Sequence, residues 1–347
     1  MRITTVALGV FICLAFVNKS LGQSRGDVRI MFYNTENLFD AEDDPQTQDD
    51  DFTPNGKQHW TKDKYNHKLF NIFKTIVGVG EWTPPEIIGL CEVENRRVLI
   101  DLLHRTPLDK YQYGIAHFES PDPRGIDVAL LYRTDKFKLL SQQPLHISFK
   151  NSPNRKTRDI LMVKLKFPGE CGDTLFLFVN HWPSRRGGEI ESEDSRVEVA
   201  QLLKHKTDSL LRKKASAKII IMGDFNDEPD NSSLTQYLQA QTSFSRIVVS
   251  ELYNLTAGSV SSQTPGTHKF SGQWSTFDQL IVSGGLLLSS GCLSAKASGA
   301  HIYNGDFLFQ PDARNLGKKL FPTFSGPQYL GGFSDHLPVY LDVLLQN

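Results

Sequence analysis

Along this chain, runs of apolar and β-branched residues stop abruptly at carboxylate, amide or imidazole side chains, and the pattern recurs from end to end. Asp27–Tyr33 leads into Asn34 and Glu36, Ile87–Cys91 into Glu92, Leu175–Val179 into Asn180 and His181, and Lys218–Met222 into Asp224 and Asn226. Near the C-terminus the order inverts, with Asp335 and His336 just ahead of the strand-like run Val339–Leu345. Further strands are predicted at Val128–Tyr132, at Leu161–Phe167 by its clean alternation, and at Leu280–Ser283. Helical spacing predicts helices over Lys64–Val77, with Tyr65, Leu69, Ile72, Phe73 and Ile76 on one face, and over Val98–Leu103 and Ser192–Lys213. Strands of both patterns, interleaved with helices and lacking a linker, predict one α/β domain with two packed sheets. Strand ends at one edge of such a scaffold can bring short polar side chains to a single point.

The first residues form a short basic start, an apolar run over Ile3–Val17, and small residues ahead of a cut after Gly22. That is the layout of a secretory signal peptide, and the apolar run is shorter than the roughly 20 residues that span a bilayer. The expected organisation is a signal peptide over residues 1–22 and a single catalytic domain over 23–347, exported to a periplasm or the medium. Removing the leader takes Arg2 and Lys19 from the 38 basic residues and leaves all 39 acidic ones. No positive excess remains for a broad nucleic-acid footprint, though an enzyme can still grip one phosphate locally. Cys91, Cys171 and Cys292 are too scattered for a disulfide framework, with room for one bridge. Cys91, inside an apolar run, reads as a small buried hydrophobe.

Taken singly, each polar strand end has an ordinary explanation. Asp224 and Asn226 suit a turn, Asp335 and His336 an exposed loop, Glu92 a solvated strand end, and His181 a core ring. Their coincidence points to a site. Carboxylate and amide oxygens are hard donors that suit Mg2+ or Mn2+ better than Zn2+. Histidine beside a carboxylate supplies a proton donor or an electrostatic partner near neutral pH.

Six segments, taken in order, resemble the motifs of the endonuclease/exonuclease/phosphatase superfamily, with its deoxyribonuclease-I-like fold, in an exported bacterial-type form. They are Tyr33–Glu36, Ile88–Val93, Val179–His181, Gly223–Asn226, Thr276–Ser283 and Ser334–Val339, and they cover nearly all of the mature chain. The resemblance implies a four-layered sandwich, two packed mixed β-sheets flanked by helices, with the site at one sheet edge. It implies a metal-dependent phosphoester hydrolase in which water attacks phosphorus and the metal stabilises the leaving group. Glu92 then resembles the principal metal carboxylate, with Asn34, Glu36 and Asp335 beside it. Asp224 resembles the residue that orients or deprotonates water, and Asn226 its partner on the phosphate. His336, held by Asp278, resembles the histidine on the phosphate, and His181 a proton donor to the leaving oxygen. Glu36 departs from the pattern, since many relatives carry the shorter Asp there.

Arg158 and Arg186, with Asn180, are candidate phosphate contacts, because a guanidinium fork fits phosphate; Arg185 is a further one. Trp182, beside His181, is the candidate stacking residue among Trp60, Trp182 and Trp274. The acidic loop 40–51 reads as a solvated surface loop or, less favoured, a weak cation site. Substrates open on this reading are DNA or RNA, and lipid or sugar phosphoesters. A sphingomyelinase-like enzyme needs an exposed apolar hairpin, for which Ser283–Ser290 is the candidate and a core strand the equal alternative. A phosphomonoesterase is served by the same site. A catalytically dead binding protein would lack site residues, and none is missing. A monomer without a stable protein partner is expected.

Overall fold

The computed structural model describes residues 28–81, 83–168, 172–260, 266–289 and 292–345. The expected leader and Cys171 lie outside the described residues. The strands in chain order begin with β1 (Val28–Leu38), β2 (Ile87–Val93), β3 (Tyr113–His117), β4 (Asp127–Arg133) and β5 (Lys138–Leu145). There follow β6 (Ile160–Lys166), β7 (Thr174–His181), β8 (Lys218–Asp224), β9 (Ala240–Gln241) and β10 (Leu252–Asn254), then Asp278–Ser283, Leu293–Ile302 and Val339–Leu345. One sheet is ordered Leu293–Ile302, Val339–Leu345, β1, β2, β4, β3, and the other β5, β6, β7, β8, Asp278–Ser283, β10, β9.

Alternation along the strands builds the layers. In β1, Ile30 and Phe32 join Val163, Leu177, Ile220 and Met222 in the core between the sheets. Their neighbours Met31 and Tyr33 face outward, onto Leu69, Ile72 and Ile76 of α1 (Lys62–Val79) and Val98 and Leu102 of α2 (Arg96–His104). On the far side, Phe178, Ile219 and Ile221 pack against Val199 and Leu203 of α3 (Glu189–Lys213). Each large apolar side chain buried this way contributes about 1.5–3 kcal/mol. The result is the four-layered sandwich with helices outside.

The sheets approach closely at Gly89, where an added Cβ would lie 2.4 Å from Met222 Sδ. Helix α1 begins where Thr61 caps the Lys64 amide. Its buried face holds Tyr65, Leu69, Ile72 and Ile76 as expected, while Phe73 is only half-buried and Lys68 is fully buried. Several strands were not legible, among them the short β9 and β10 and three longer ones. β5 is an edge strand with no clean alternation, β3 is short and half-buried, and Leu293–Ile302 carries an irregularity between Ala295 and Ala300. Cys91 is free and buried, and Cys292 is disulfide-bonded. Of the Ser283–Ser290 segment, the described residues 283–289 form no apolar hairpin: Gly284–Leu287 is a short helix with Gly284, Gly285 and Leu286 buried.

Candidate active site

Register carries the polar strand ends to one edge. Parallel β1 and β2 set Asn34 opposite Cys91, next to Glu92, and parallel β7 and β8 set His181 opposite Asp224. The antiparallel strand Asp278–Ser283 starts at the same edge, with Asp278 opposite Asp224. Val339 pairs with Phe32 across the other sheet, so the preceding Asp335 and His336 arrive beside Asn34. Ser334 Oγ fastens that loop by donating to the Asn34 carbonyl at 2.8 Å.

The backbone there is strained. Glu36, Asn37, Glu92 and Asn226 have φ of 51°, 59°, 57° and 51°, a region that costs a non-glycine residue about 1–2 kcal/mol. At Glu92 the strain has a visible use. Cys91 pairs with Val128 and Val93 with Asp127, so Glu92 is an extra, bulged residue. By alternation it would follow Ile88 and Leu90 toward α1. The bulge re-aims it, and its Oε1 lies 3.8 Å from His181 Nε2.

Asp224 is the hub. Its Oδ1 accepts the Asn226 amide at 2.9 Å, and its Oδ2 accepts Asn34 Nδ2 at 3.1 Å. The same Oδ2 lies 3.7 Å from His181 Nε2 and 3.9 Å from His336 Nε2. His336 Nδ1 is bonded to Asp278 Oδ2 at 2.7 Å, with Asp278 fully buried. Asp335 makes no hydrogen bond among the described residues and stands close to His336 and His268.

The charges follow from these surroundings. Burial pushes Asp224 up to about 7; His336 pulls it down while the charges of Asp278 and Glu92 add to the rise. Burial works against a protonated His336, yet Asp278 and Asp224 together hold it well above its ordinary value. His181 is held well below its ordinary value by burial and then by Arg158, Arg124 and His336. The two histidines are thus driven apart, His336 toward the protonated form and His181 toward the neutral one. The surroundings of His181 oppose the protonated form that a proton donor to the leaving oxygen requires.

Three other expectations are corrected by burial. Trp182 is fully buried, its Nε1 donates to Asn180 Oδ1 at 3.2 Å, and its ring packs on Phe225, so it presents no face to a substrate. Asn180 is also fully buried, and its Nδ2 serves the carbonyls of Phe178 and Met222. Arg158 is buried, donating to the Trp182 carbonyl at 2.8 Å and to Asp122 at 3.2 Å. Its charge reaches the site by acting on His181. Glu36 Oε2 accepts the Thr323 amide at 2.6 Å and lies 3.7 Å from Lys68 Nζ. It braces the 323 loop through an oxygen that a metal would otherwise share. Arg186 is exposed on a loop that reaches the site's rim with Asn226.

Lys68 and His268 escaped the sequence reading. Lys68 is buried on a helix face that also buries Asn71 and Thr75 among its apolar residues, and it donates to the Phe333 carbonyl at 2.7 Å. His268 bridges His336 through the backbone, with ring centroids 4.7 Å apart. Neither sits in a strand-end motif. In the acidic loop, Asp40 and Asp49 are buried and bond backbone amides, so the loop is more ordered than a solvated run.

Residues 29–344 match the model of the Endonuclease/Exonuclease/phosphatase family. The chain belongs to the endonuclease/exonuclease/phosphatase family. Membership makes it a hydrolase of phosphoester bonds. Solved structures of this family share its fold. The human Nocturnin catalytic domain with bound sulfate has TM-score 0.54 at 16% identity, covering 92% of this chain and 94% of that one. A mannosyl-6-phosphatase from Bacteroides thetaiotaomicron has TM-score 0.55 at 17% identity, covering 91% and 99%. A humanized D. rerio TDP2 has TM-score 0.53 at 13% identity, covering 91% and 98%. No match is found among curated proteins.

Proposed function

We propose that the protein is an exported, divalent-metal-dependent phosphodiesterase, with residues 23–347 acting as one monomeric catalytic domain and nucleic acid as its substrate class. The observation that carries this reading is Asp224, buried and bonded at both oxygens, with His181 Nε2 and His336 Nε2 at 3.7 Å and 3.9 Å from its Oδ2. A carboxylate pushed up to about 7 is poised to take a proton from water near neutral pH. Asn34 and the Asn226 amide hold it in place, and His336, fixed by Asp278, offers Nε2 to an anionic phosphate oxygen. Neutral His181 offers one ring N–H as a hydrogen-bond donor.

The donor set fits Mg2+ or Mn2+. Glu92 presents a free Oε1 beside Asn34, and Asp335 is a carboxylate with no hydrogen bond among the described residues. Glu92, Asn34 and Asp335 are the residues that would hold the ion, with Glu36 a brace behind them. When bound, the metal offsets charge on the phosphate and on the leaving oxygen.

A second reading, a sugar phosphatase, is favoured by the slightly negative mature charge and by the likeness to a mannosyl-6-phosphatase. Hydrolysis of plasmid DNA, RNA, bis-p-nitrophenyl phosphate, mannose 6-phosphate and sphingomyelin with Mg2+ or Mn2+ separates the readings. Metal-dependent nicking of plasmid or cleavage of RNA supports the first. Turnover of mannose 6-phosphate alone replaces it with the second, and turnover of sphingomyelin alone with a lipid enzyme. N-terminal sequencing of the exported protein should begin at Gln23; an intact Met1 would contradict the leader.

A further inference from the structure

Beside the polar centre a cleft of about 470 Å3 opens between the loop carrying Arg185 and Arg186 and the hairpin formed by His268–Phe270 and Gln273–Ser275. That size lies within the roughly 300–1,000 Å3 usual for small-molecule sites. Its inner end is Asn226 and His268, both already at the reaction centre. Its wall is aromatic, with His268 stacked on Phe277 at 5.5 Å and the Arg185 guanidinium 4.9 Å from the Phe277 ring centre.

Two residues of this cleft have no hydrogen bond, ion pair or ring contact among the described residues. Phe270 is 74% exposed, a large aromatic ring left in water at the lip. The hairpin bearing it is nonetheless fixed, because Lys269 Nζ donates to Asp312 Oδ2 at 2.9 Å and to the Lys318 carbonyl at 3.0 Å. Arg186 is exposed and has no hydrogen bond or ion pair among the described residues. Arg185, by contrast, is engaged by the Asn226 carbonyl, Asp227, Asn231 and Glu189. An idle ring on a rigid arm and an idle guanidinium therefore border one cleft that leads to the reacting centre.

We propose that this cleft is the subsite for the group attached to the scissile phosphate, and that it takes a nucleotide, the base stacked on Phe270 and a second phosphate paired with Arg186. The inference rests on the phosphoester-hydrolase reading of the neighbouring centre. Stacking on one aromatic face is tolerant of base identity, and a free guanidinium fork matches a phosphate. The cleft thus selects for nucleotides without selecting among bases.

Two measurements test this with the mature protein and Mg2+. The first is calorimetric titration with thymidine 3′,5′-bisphosphate. Phe270→Ala should weaken binding about tenfold or more, the size expected for loss of one base stack, and Phe270→Tyr should retain it. Arg186→Gln should weaken the bisphosphate while leaving thymidine 3′-monophosphate unchanged. The second is initial rates on a 5′-phosphorylated dinucleotide and on glycerophosphocholine, an ester without a ring. Phe270→Ala should raise KM for the dinucleotide with kcat retained and leave any turnover of the ring-free ester unaltered. Equal loss on both esters, or bisphosphate binding that is absent or unmoved by either substitution, overturns the cleft proposal and leaves the hydrolase reading standing. Bisphosphate bound through Phe270 and Arg186 with no ester turned over does the reverse.

Discussion

Asp278→Asn probes the centre most sharply, because it changes one charge and almost no volume. Asp278 is fully buried and bonds His336 Nδ1 at 2.7 Å, and His336 itself is buried. Water screens neither group, so the full strength of a hydrogen bond between charged partners, about 1.5–3 kcal/mol, is at stake. If the His336 cation acts on the phosphate in the transition state, that loss appears as about a 10- to 150-fold fall in kcat/KM. The pH dependence is more telling than the size. Against the effect of burial, Asp278 is the first of the charges that keep His336 protonated above its ordinary range. With Asn there, the protonated fraction drops sooner as pH rises, and the variant should lose more at pH 8 than at pH 6. Stability moves consistently. A histidine raised in the folded state adds stability that is complete below about pH 6.5 and is lost as pH climbs through its raised value. The gap in Tm between the two proteins should therefore narrow at alkaline pH. Initial rates on bis-p-nitrophenyl phosphate from pH 5.5 to 8.5, with melting curves alongside, measure both. A loss below threefold, or a rate ratio indifferent to pH, refutes the reasoning.

Gly89→Ala places a Cβ 2.4 Å from Met222 Sδ between the sheets and should cost about 1–3 kcal/mol by overpacking; a urea midpoint equal to wild type would mean the sheets yield there. Lys68→Met leaves Glu36 without its cation and should cost about 3 kcal/mol, part of it recovered by adding Glu36→Gln; absence of recovery would show that the two do not act as a pair. Glu94 is pushed up to about 8, by burial first and by the charges of Asp40, Asp49 and Asp44. Its folded value lies above its unfolded one, so the folded state holds the extra proton and wild-type stability falls as pH rises from about 4.5 through about 8. Glu94→Gln should then gain in Tm over wild type between pH 5 and pH 9; parallel curves would contradict the assignment.

The centre was legible because its residues lie where backbone register alone delivers them. His181 and Asp224 end and Asp278 begins hydrogen-bonded strands at one edge, where Asn34 closes the regular pairing of β1 with β2, and that much follows from apolar runs and what terminates them. Asn180 and Trp182 were misread for a reason the sequence also contained. They share the parity of Phe178, which faces α3, whereas His181 shares that of Val179, which faces the other sheet. Applying the period of two to the polar residues as well as the apolar ones separates them. Glu92 breaks the same rule in the other direction, because a bulge with φ of 57° turns it, and no alternation predicts a bulge. Lys68 and His268 were out of reach. Each meets the site only through tertiary contact, with Thr323 and Phe333 for the one and His336 for the other. Of the cleft residues, Arg186 was legible only as a guanidinium near His181, while Phe270 looks like any surface position until the hairpin and loop are seen to border one cavity.

In the proposed mechanism a buried Asp224 activates water for a metal-dependent hydrolysis. Its most direct test is the initial rate on bis-p-nitrophenyl phosphate at pH 7.5 by wild type and Asp224→Ala, each with Mg2+ and with EDTA. Wild type should turn over with Mg2+, stop after chelation and recover on adding Mg2+ or Mn2+, and the variant should lose about 100-fold or more while still folding. Near-normal turnover by Asp224→Ala, or activity that survives full chelation, would contradict it.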